Sequence, residues 1–272
     1  GLTPRTTDSA QGMHVKAKKH LGQHFLRDLD AARRIALGIT KHQGCVDVLE
    51  VGPGTGALTR PLLDRGDLRV KAVELDDESV LYLTSQGVLP AEDVYGVDLL
   101  KWDPSEAFPD GAPFIVAGNF PYNISSQILF RVLDWRDRVP ECVGMFQKEV
   151  AERVAEGPGS KTYGILSVLL QAYYDIDYLF TVHEHAFDPP PKVKSGVIRL
   201  VRNDVSTLPH GVSHAHFVRV VKAAFNQRRK TLRNSIKSGG FDATRIPEPY
   251  QGQRAEQLSV SEFLELAAAL QT

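Results

Sequence analysis

The segment Gly118-Asn119-Phe120-Pro121-Tyr122-Asn123 places an amide side chain, a proline-held turn and an aromatic ring side by side. The Asn119 side-chain oxygen and the Phe120 main-chain carbonyl could accept hydrogen bonds from one planar amino group. Adenine's exocyclic nitrogen is a poor nucleophile because its lone pair delocalises into the ring. Two acceptors on its hydrogens draw it toward tetrahedral geometry and free that pair. Pro121 would stiffen the turn, and Tyr122 would stack on the base. A base stacked in a duplex or loop cannot reach such a turn, so it must be flipped out. Phe187, on the proline-stiffened stretch Phe187-Asp188-Pro189-Pro190-Pro191-Lys192, is expected to cover its other face; the competing reading makes Phe187 a core anchor for that loop.

Upstream lies Glu50-Val51-Gly52-Pro53-Gly54-Thr55-Gly56, a glycine-rich turn after a β-branched run. Glycines there let the backbone approach a nucleotide without Cβ clashes, and a following helix would add N–H groups and a positive dipole end. Glu74 closes the next strand-like run, where a carboxylate can accept from ribose hydroxyls. Asp98, at the end of a third, could bind an adenine amino group. The bland alternatives are a solvated strand-end carboxylate for Glu74 and a helix cap for Asp98. Gly52, Gly54 and Ala57 also satisfy G-x-G-x-x-G/A, so a nicotinamide dinucleotide site competes. The Asn-x-Pro-Tyr turn and Asp98 favour S-adenosylmethionine as methyl donor, because no hydride-chemistry constellation accompanies the glycines. The nine histidines make no zinc-like spacing with cysteine, and no metal is expected.

These groups need a scaffold. Runs at 46–51, 70–75, 94–97, 114–118 and 142–146 read as strands, and 57–64, 78–86 and 124–133 as helices. That alternation implies an α/β, doubly wound, mostly parallel sheet. Ligands sit at the carboxyl ends of such strands, where Gly52, Glu74, Asp98 and Asn119 all fall. Residues 163–174 read as a helix, and 176–183 and 197–202 as late antiparallel strands. After about Asn203 only helices are expected, near 214–226, 228–236 and 259–270. The expected domains are a methyltransferase domain over 13–204 and a helical RNA- or ribosome-binding domain over 205–272. Residues 1–12 read as a tag or floppy tail, with Met13 the expected start.

The chain has 272 residues, 42% of them hydrophobic, and a formal net charge of -1. That balance argues against a general polyanion binder, but the distribution is uneven. Arg219, Lys222, Arg228, Arg229, Lys230, Arg233 and Lys237 occur within nineteen residues that hold no acid. A patch of one sign is what a phosphate backbone responds to, so RNA contact is expected there; a solvated helix face is the alternative. Lys16, Lys18, Lys19 and His20 form a second basic cluster. Cys45 and Cys142 read as buried free thiols of a reducing compartment. No apolar run is long enough for a membrane span, and a cytoplasmic location is expected.

Several separated motifs together resemble the KsgA-type 16S ribosomal RNA adenine dimethyltransferases, a Rossmann-like methyltransferase family. Lys19-His20-Leu21-Gly22-Gln23-His24-Phe25-Leu26 is similar to its amino-terminal G-Q-x-F-L element, with His24 where many members carry Asn. Asn119 to Tyr122 match its N-[L/I/F]-P-[Y/F] motif, Phe187 to Ser195 its F-x-P-x-P-K-V-x-S loop, and Arg228 to Leu232 its R-R-K-T-L block. The resemblance covers Val15 to Leu270. It implies donor-binding roles for His24, Leu26, Gly52, Glu74, Asp98 and Asn119. It further implies dimethylation of two adjacent adenines near the 3′ end of small-subunit rRNA, on a 30S or pre-30S particle, with S-adenosylhomocysteine as by-product. A monomer is expected. The related Erm-type 23S rRNA methyltransferases are the nearest alternative; a non-catalytic assembly factor would not need an amine grip.

Overall fold

The computed structural model describes residues 14–109 and 111–272; the expected tail over 1–12 and the start at Met13 lie outside the described residues. In chain order the strands are β1 (Phe25–Leu26), β2 (Asp47–Val51), β3 (Arg69–Val73), β4 (Val94–Tyr95), β5 (Ile115–Asn119), β6 (Glu141–Gln147), β7 (Tyr174–Val182), β8 (Phe187–Asp188) and β9 (Ser195–Arg202). The α-helices are α1 (Leu29–Leu37), α2 (Thr59–Asp64), α3 (Asp77–Ser85), α4 (Ser125–Asp134), α5 (Lys148–Ala155), α6 (Ile165–Gln171), α7 (His214–Asn226), α8 (Leu232–Ser238), α9 (Glu248–Gln251) and α10 (Val260–Ala269).

Seven strands make one sheet in the order β4-β3-β2-β5-β6-β9-β7. Pairings from β4 through β6 are parallel, and β6 to β9 is antiparallel. The order reverses between β2 and β5, which makes that junction the switch point where such sheets open a crevice. The register settles what gathers there. Val51 pairs with Val73 and with Gly118, and Val73 pairs with Tyr95. The residues that leave these strands therefore emerge along one edge. The central strands are buried on both faces, Val48, Leu49, Ile115, Val116 and Ala117 completely, as a sheet covered on both sides requires.

The chain separates into two compact units, one of residues up to Lys148 with Tyr178–Val201, the other Glu149–Asp177 with Arg202–Thr272. The expectation was one boundary near residue 205; the chain instead passes between the units three times, and a segment from its middle joins the carboxyl-terminal helices. Packing explains the placement. Within that second unit Tyr163 donates its hydroxyl to the Leu258 carbonyl at 2.7 Å and lies edge-on to Phe225, which stacks on Phe263. Contacts between residues so far apart, 95 positions for Tyr163 and Leu258, leave no local trace in sequence. Helix α1 was likewise not expected. Asp28 caps it by accepting from the Asp30 and Ala31 N–H groups, and its Ala31, Ala32, Ile35 and Ala36 face is buried.

Candidate active site

The glycine turn is built on backbone conformations that side chains disfavour. Gly52 and Gly54 have φ of 66° and 56°. A Cβ on Gly54 would stand 3.1 Å from two Phe25 ring carbons, so the turn and the amino-terminal segment are closed on one another. Because Gly56 also has positive φ, α2 begins only at Thr59 and has six residues. The turn's own N–H groups, rather than a long helix dipole, form the cradle.

One cavity is lined by Gly22, Gln23, His24 and Phe25, by Gly52 and Gly54, by Glu74, by Asp98, and by Asn119 through Ile124. The four strand-end residues Gly52, Glu74, Asp98 and Asn119 all line it. Glu74 is buried, and its two oxygens accept from the Gly54 N–H at 2.9 Å and the Asp76 N–H at 3.1 Å. Burial pushes its pKa up, opposed by those amide bonds. Asp98 caps a short turn through Oδ1, which accepts from the Leu100 N–H at 3.0 Å. The capping alternative is thus realised, at a residue that also lines the cavity.

The turn at 119–122 is held from several directions. Asn119 Nδ2 donates to the His24 carbonyl at 3.0 Å, which identifies Oδ1 as the acceptor end of that amide. Phe120 N–H donates to the Met145 carbonyl at 3.1 Å, and its buried ring stacks on Phe146 at 4.7 Å. Tyr122 shares a short hydrogen bond with the Ser195 hydroxyl, and burial raises its pKa. The His24 ring lies tilted against Tyr122 at 5.3 Å, and His24 Nδ1 is 2.8 Å from the Pro189 carbonyl.

Three expected site residues lie elsewhere. Phe187 is 1% exposed and belongs to the hydrophobic core with Leu26. The two face each other in the β1–β8 pairing. Phe187 is the core anchor, not the free aromatic lid, because a strand pair holds it inward. Leu26 is buried in the same core, and Gly56 packs toward Val88, Arg60 and Leu83; neither lines the cavity. Residues that sequence reasoning passed over include Phe25 and Gln23, whose signal was the G-Q-x-F-L element itself. Glu50 was quoted in the glycine motif but given no role. It is 1% exposed and accepts from the Thr59 hydroxyl. Burial, with the neighbouring Glu74 charge, pushes its pKa to about 8 against the Thr59 bond.

In the second unit Arg219, Lys222, Arg229, Lys230, Arg233 and Lys237 are exposed along α7, α8 and the link between them. Arg228 is committed inward instead: its guanidinium donates to the Lys161 and Tyr163 carbonyls and pairs with Glu256 at 3.1 Å. Cys45 and Cys142 are buried free thiols, and burial pushes both pKa values up. Among the described residues no helix is long and apolar enough to cross a membrane.

A parallel sheet with a glycine turn, two strand-end carboxylates and an Asn-Phe-Pro-Tyr turn around one cleft defines a Rossmann-like methyltransferase. Comparison with known proteins narrows the class. The family model for ribosomal RNA adenine dimethylases matches residues 14–272, and the chain belongs to that family. A Cytophaga hutchinsonii protein named Ribosomal RNA small subunit methyltransferase A is 55% identical over 94% of this chain and 98% of its own length. A Porphyromonas gingivalis protein of the same name is 54% identical over 95% and 99%. Among solved structures, the 23S rRNA methyltransferase ErmE superposes with TM-score 0.68 at 25% identity, over 90% of this chain and 99% of that one. A Plasmodium falciparum dimethyladenosine transferase gives TM-score 0.71 at 24% identity, over 89% and 96%, and speaks for the fold.

Proposed function

We propose that this protein transfers methyl groups from S-adenosylmethionine to N6 of two adjacent adenosines near the 3′ end of 16S rRNA, dimethylating each during small-subunit maturation. The observation that carries the reading is the Asn119–Tyr122 turn, held in the same cavity as Gly52, Glu74 and Asp98. The names of relatives at 53–56% identity support the small-subunit substrate. The likeness to ErmE, at 25%, keeps the 23S alternative as the one to test.

The residues present fit the donor. Gly54 has no room for a side chain beside Phe25, so main chain can lie directly against an amino-acid tail. Glu74 and Asp98 offer carboxylate oxygens of the kind that ribose hydroxyls and an adenine amine donate to. Each Glu74 oxygen already accepts one amide N–H and has a further lone pair. When bound, the donor supplies an electrophilic methyl group on a sulfonium. Asn119 Oδ1 and the Phe120 carbonyl would hold the acceptor amine's hydrogens, and Tyr122 would stack on the flipped base. Positioning is then the main source of acceleration. The exposed cations of α7 and α8 would bind phosphates of the particle with marked salt dependence. We take the active form to be a monomer acting on the 30S or pre-30S particle in the cytoplasm.

The test is incubation of purified protein and donor with undermethylated 30S particles, followed by mass spectrometry of rRNA fragments. Two adjacent dimethyladenosines in a 16S fragment are expected. Label that enters only 23S RNA would overturn the assignment. Asn119→Ala should cost at least about 10²-fold in transfer rate, the scale of one preorganised polar contact, and an unchanged rate would refute its role.

A further inference from the structure

We infer that two lysine-bearing loops tied to the Asn119–Tyr122 turn, one at Lys19 and one at Lys192 to Lys194, form a clamp on the RNA phosphates that flank the flipped adenosine; the inference rests on the function proposed above. Phosphate contacts fix the register and orientation of a nucleic acid, while base contacts read the base itself. The turn supplies base contacts only: two acceptors for the amine and one ring for stacking. Extruding a base from its stack also costs a few kcal/mol, so the strand beside it must be held. The cations of α7 and α8 belong to the other compact unit. Charge for holding the strand locally has to come from the first unit.

The first loop is the single turn Lys19–Leu21, closed by Gly22 at φ 66°. Asn123 Nδ2 donates to its His20 carbonyl at 3.1 Å. A Cβ on Gly22 would stand 2.6 Å from Asn123 Oδ1, so this loop lies directly against the residue that follows Tyr122. Lys19 is exposed. Its neighbour Lys18 is engaged by Asp76 and Glu78, which leaves Lys19 as the loop's available ammonium.

The second loop is pinned more firmly. Lys192, Val193 and Lys194 are exposed between the buried Pro191 and Ser195. Ser195 shares its hydroxyl hydrogen bond with Tyr122, the residue proposed to stack on the base. Lys148 N–H donates to the Lys194 carbonyl at 2.9 Å. The run Pro189-Pro190-Pro191 leads into the tip and restricts its backbone. The tip is therefore fixed relative to the turn while its two side chains reach solvent. Among the described residues, Lys19, Lys192 and Lys194 have no carboxylate partner. Lysines of an ordinary solvated face need no such anchoring. Compact ammonium charges on anchored loops, beside the place where one nucleotide must leave its stack, suit phosphate oxygens.

The test is a cycle between lysines and phosphates. Undermethylated 30S particles are assembled on 16S rRNA with a synthetic 3′ segment, either unaltered or carrying an uncharged methylphosphonate at one phosphate flanking a target adenosine. Single-turnover methylation is measured for wild type, Lys19→Ala, Lys192→Ala and Lys194→Ala, and particle binding is measured against salt for the triple variant. Each single variant should lose about tenfold in rate at limiting protein on unaltered particles, the scale of one hydrogen bond to a charged group. That loss should vanish, to within about twofold, on the particle whose matching phosphate is uncharged, because a contact already broken cannot be lost again. The triple variant should lower the salt slope by about two, at about 0.7 per single-stranded phosphate, and bind S-adenosylhomocysteine within about twofold of wild type. Losses that simply multiply at every flanking phosphate, or an unchanged salt slope, overturn the clamp and leave three solvated lysines. A wild type that leaves the adenines of unaltered 30S particles unmodified overturns the functional reading beneath it as well.

Discussion

Gly144→Ala tests how the Asn119–Tyr122 turn is held. Gly144 lies in the middle of β6, and its absent side chain is filled by the Phe120 ring. A Cβ there would stand 2.0 Å and 2.8 Å from two Phe120 ring carbons and 2.7 Å from the Gly118 carbonyl oxygen. Carbon atoms normally rest about 3.5–4.0 Å apart, so the ring must retreat by roughly 1.5 Å. It has little space to do so. Phe146 stacks on it at 4.7 Å, and Gly118 gives way beneath it only because that residue also lacks a Cβ. Phe120 supplies one of the two proposed amine acceptors through its own carbonyl, so a displaced ring drags the acceptor with it. Overpacking of this kind costs about 1–3 kcal/mol of stability, and a misplacement of about 1 Å at a reacting centre can cost 10²-fold in rate. The expected result is a lowered melting temperature and a transfer rate down by about 10²-fold. S-adenosylhomocysteine affinity should stay within about threefold of wild type. Single-turnover methylation, thermal melting and calorimetry on one preparation measure all three. Full transfer rate in a stably folded Gly144→Ala protein would refute the claim that this ring positions the turn.

Burial holds the Glu50 carboxyl near 8 instead of the ordinary 4.5, so between those values the folded protein keeps a proton that the unfolded chain has released. Its contribution to stability is whole below about pH 4.5 and falls as pH rises toward 8, by up to about 1.4 kcal/mol per pH unit. Glu50→Gln should therefore gain stability over wild type progressively from pH 5 to pH 8; parallel melting curves would contradict the buried neutral acid. Glu74→Ala removes a carboxylate proposed to hold the donor, which also holds the Gly54 and Asp76 amides, and calorimetry should report S-adenosylhomocysteine binding weakened by at least about tenfold, one bond to a charged group at about 1.5–3 kcal/mol; unaltered affinity would count against it. Replacing Arg229, Lys230 and Arg233 together by alanine should reduce the salt slope of particle binding by up to about three, with donor affinity unaffected, and an unchanged slope would remove that face from the RNA interface.

The site's chemistry was legible in the sequence because it is carried by local runs. Asn119 to Tyr122 form one turn and Gly52 to Gly56 another, and strand–helix alternation already implied that their strand ends would meet. The register between β2, β3 and β5 turned that implication into one cavity. What sequence left open involves pairs of residues far apart along the chain. Phe187 was available to stack on a base until its pairing with Leu26 turned it into the core. Arg228 counted as a free cation until the Lys161 and Tyr163 carbonyls took it. The segment Glu149–Asp177 read as part of the first domain, yet it packs with helices that lie well beyond it in the chain. Side-chain type and short spacing determined which chemistry was possible. Tertiary packing decided which of those groups face the cleft, because burial and hydrogen-bond partners are set by neighbours that no local pattern encodes.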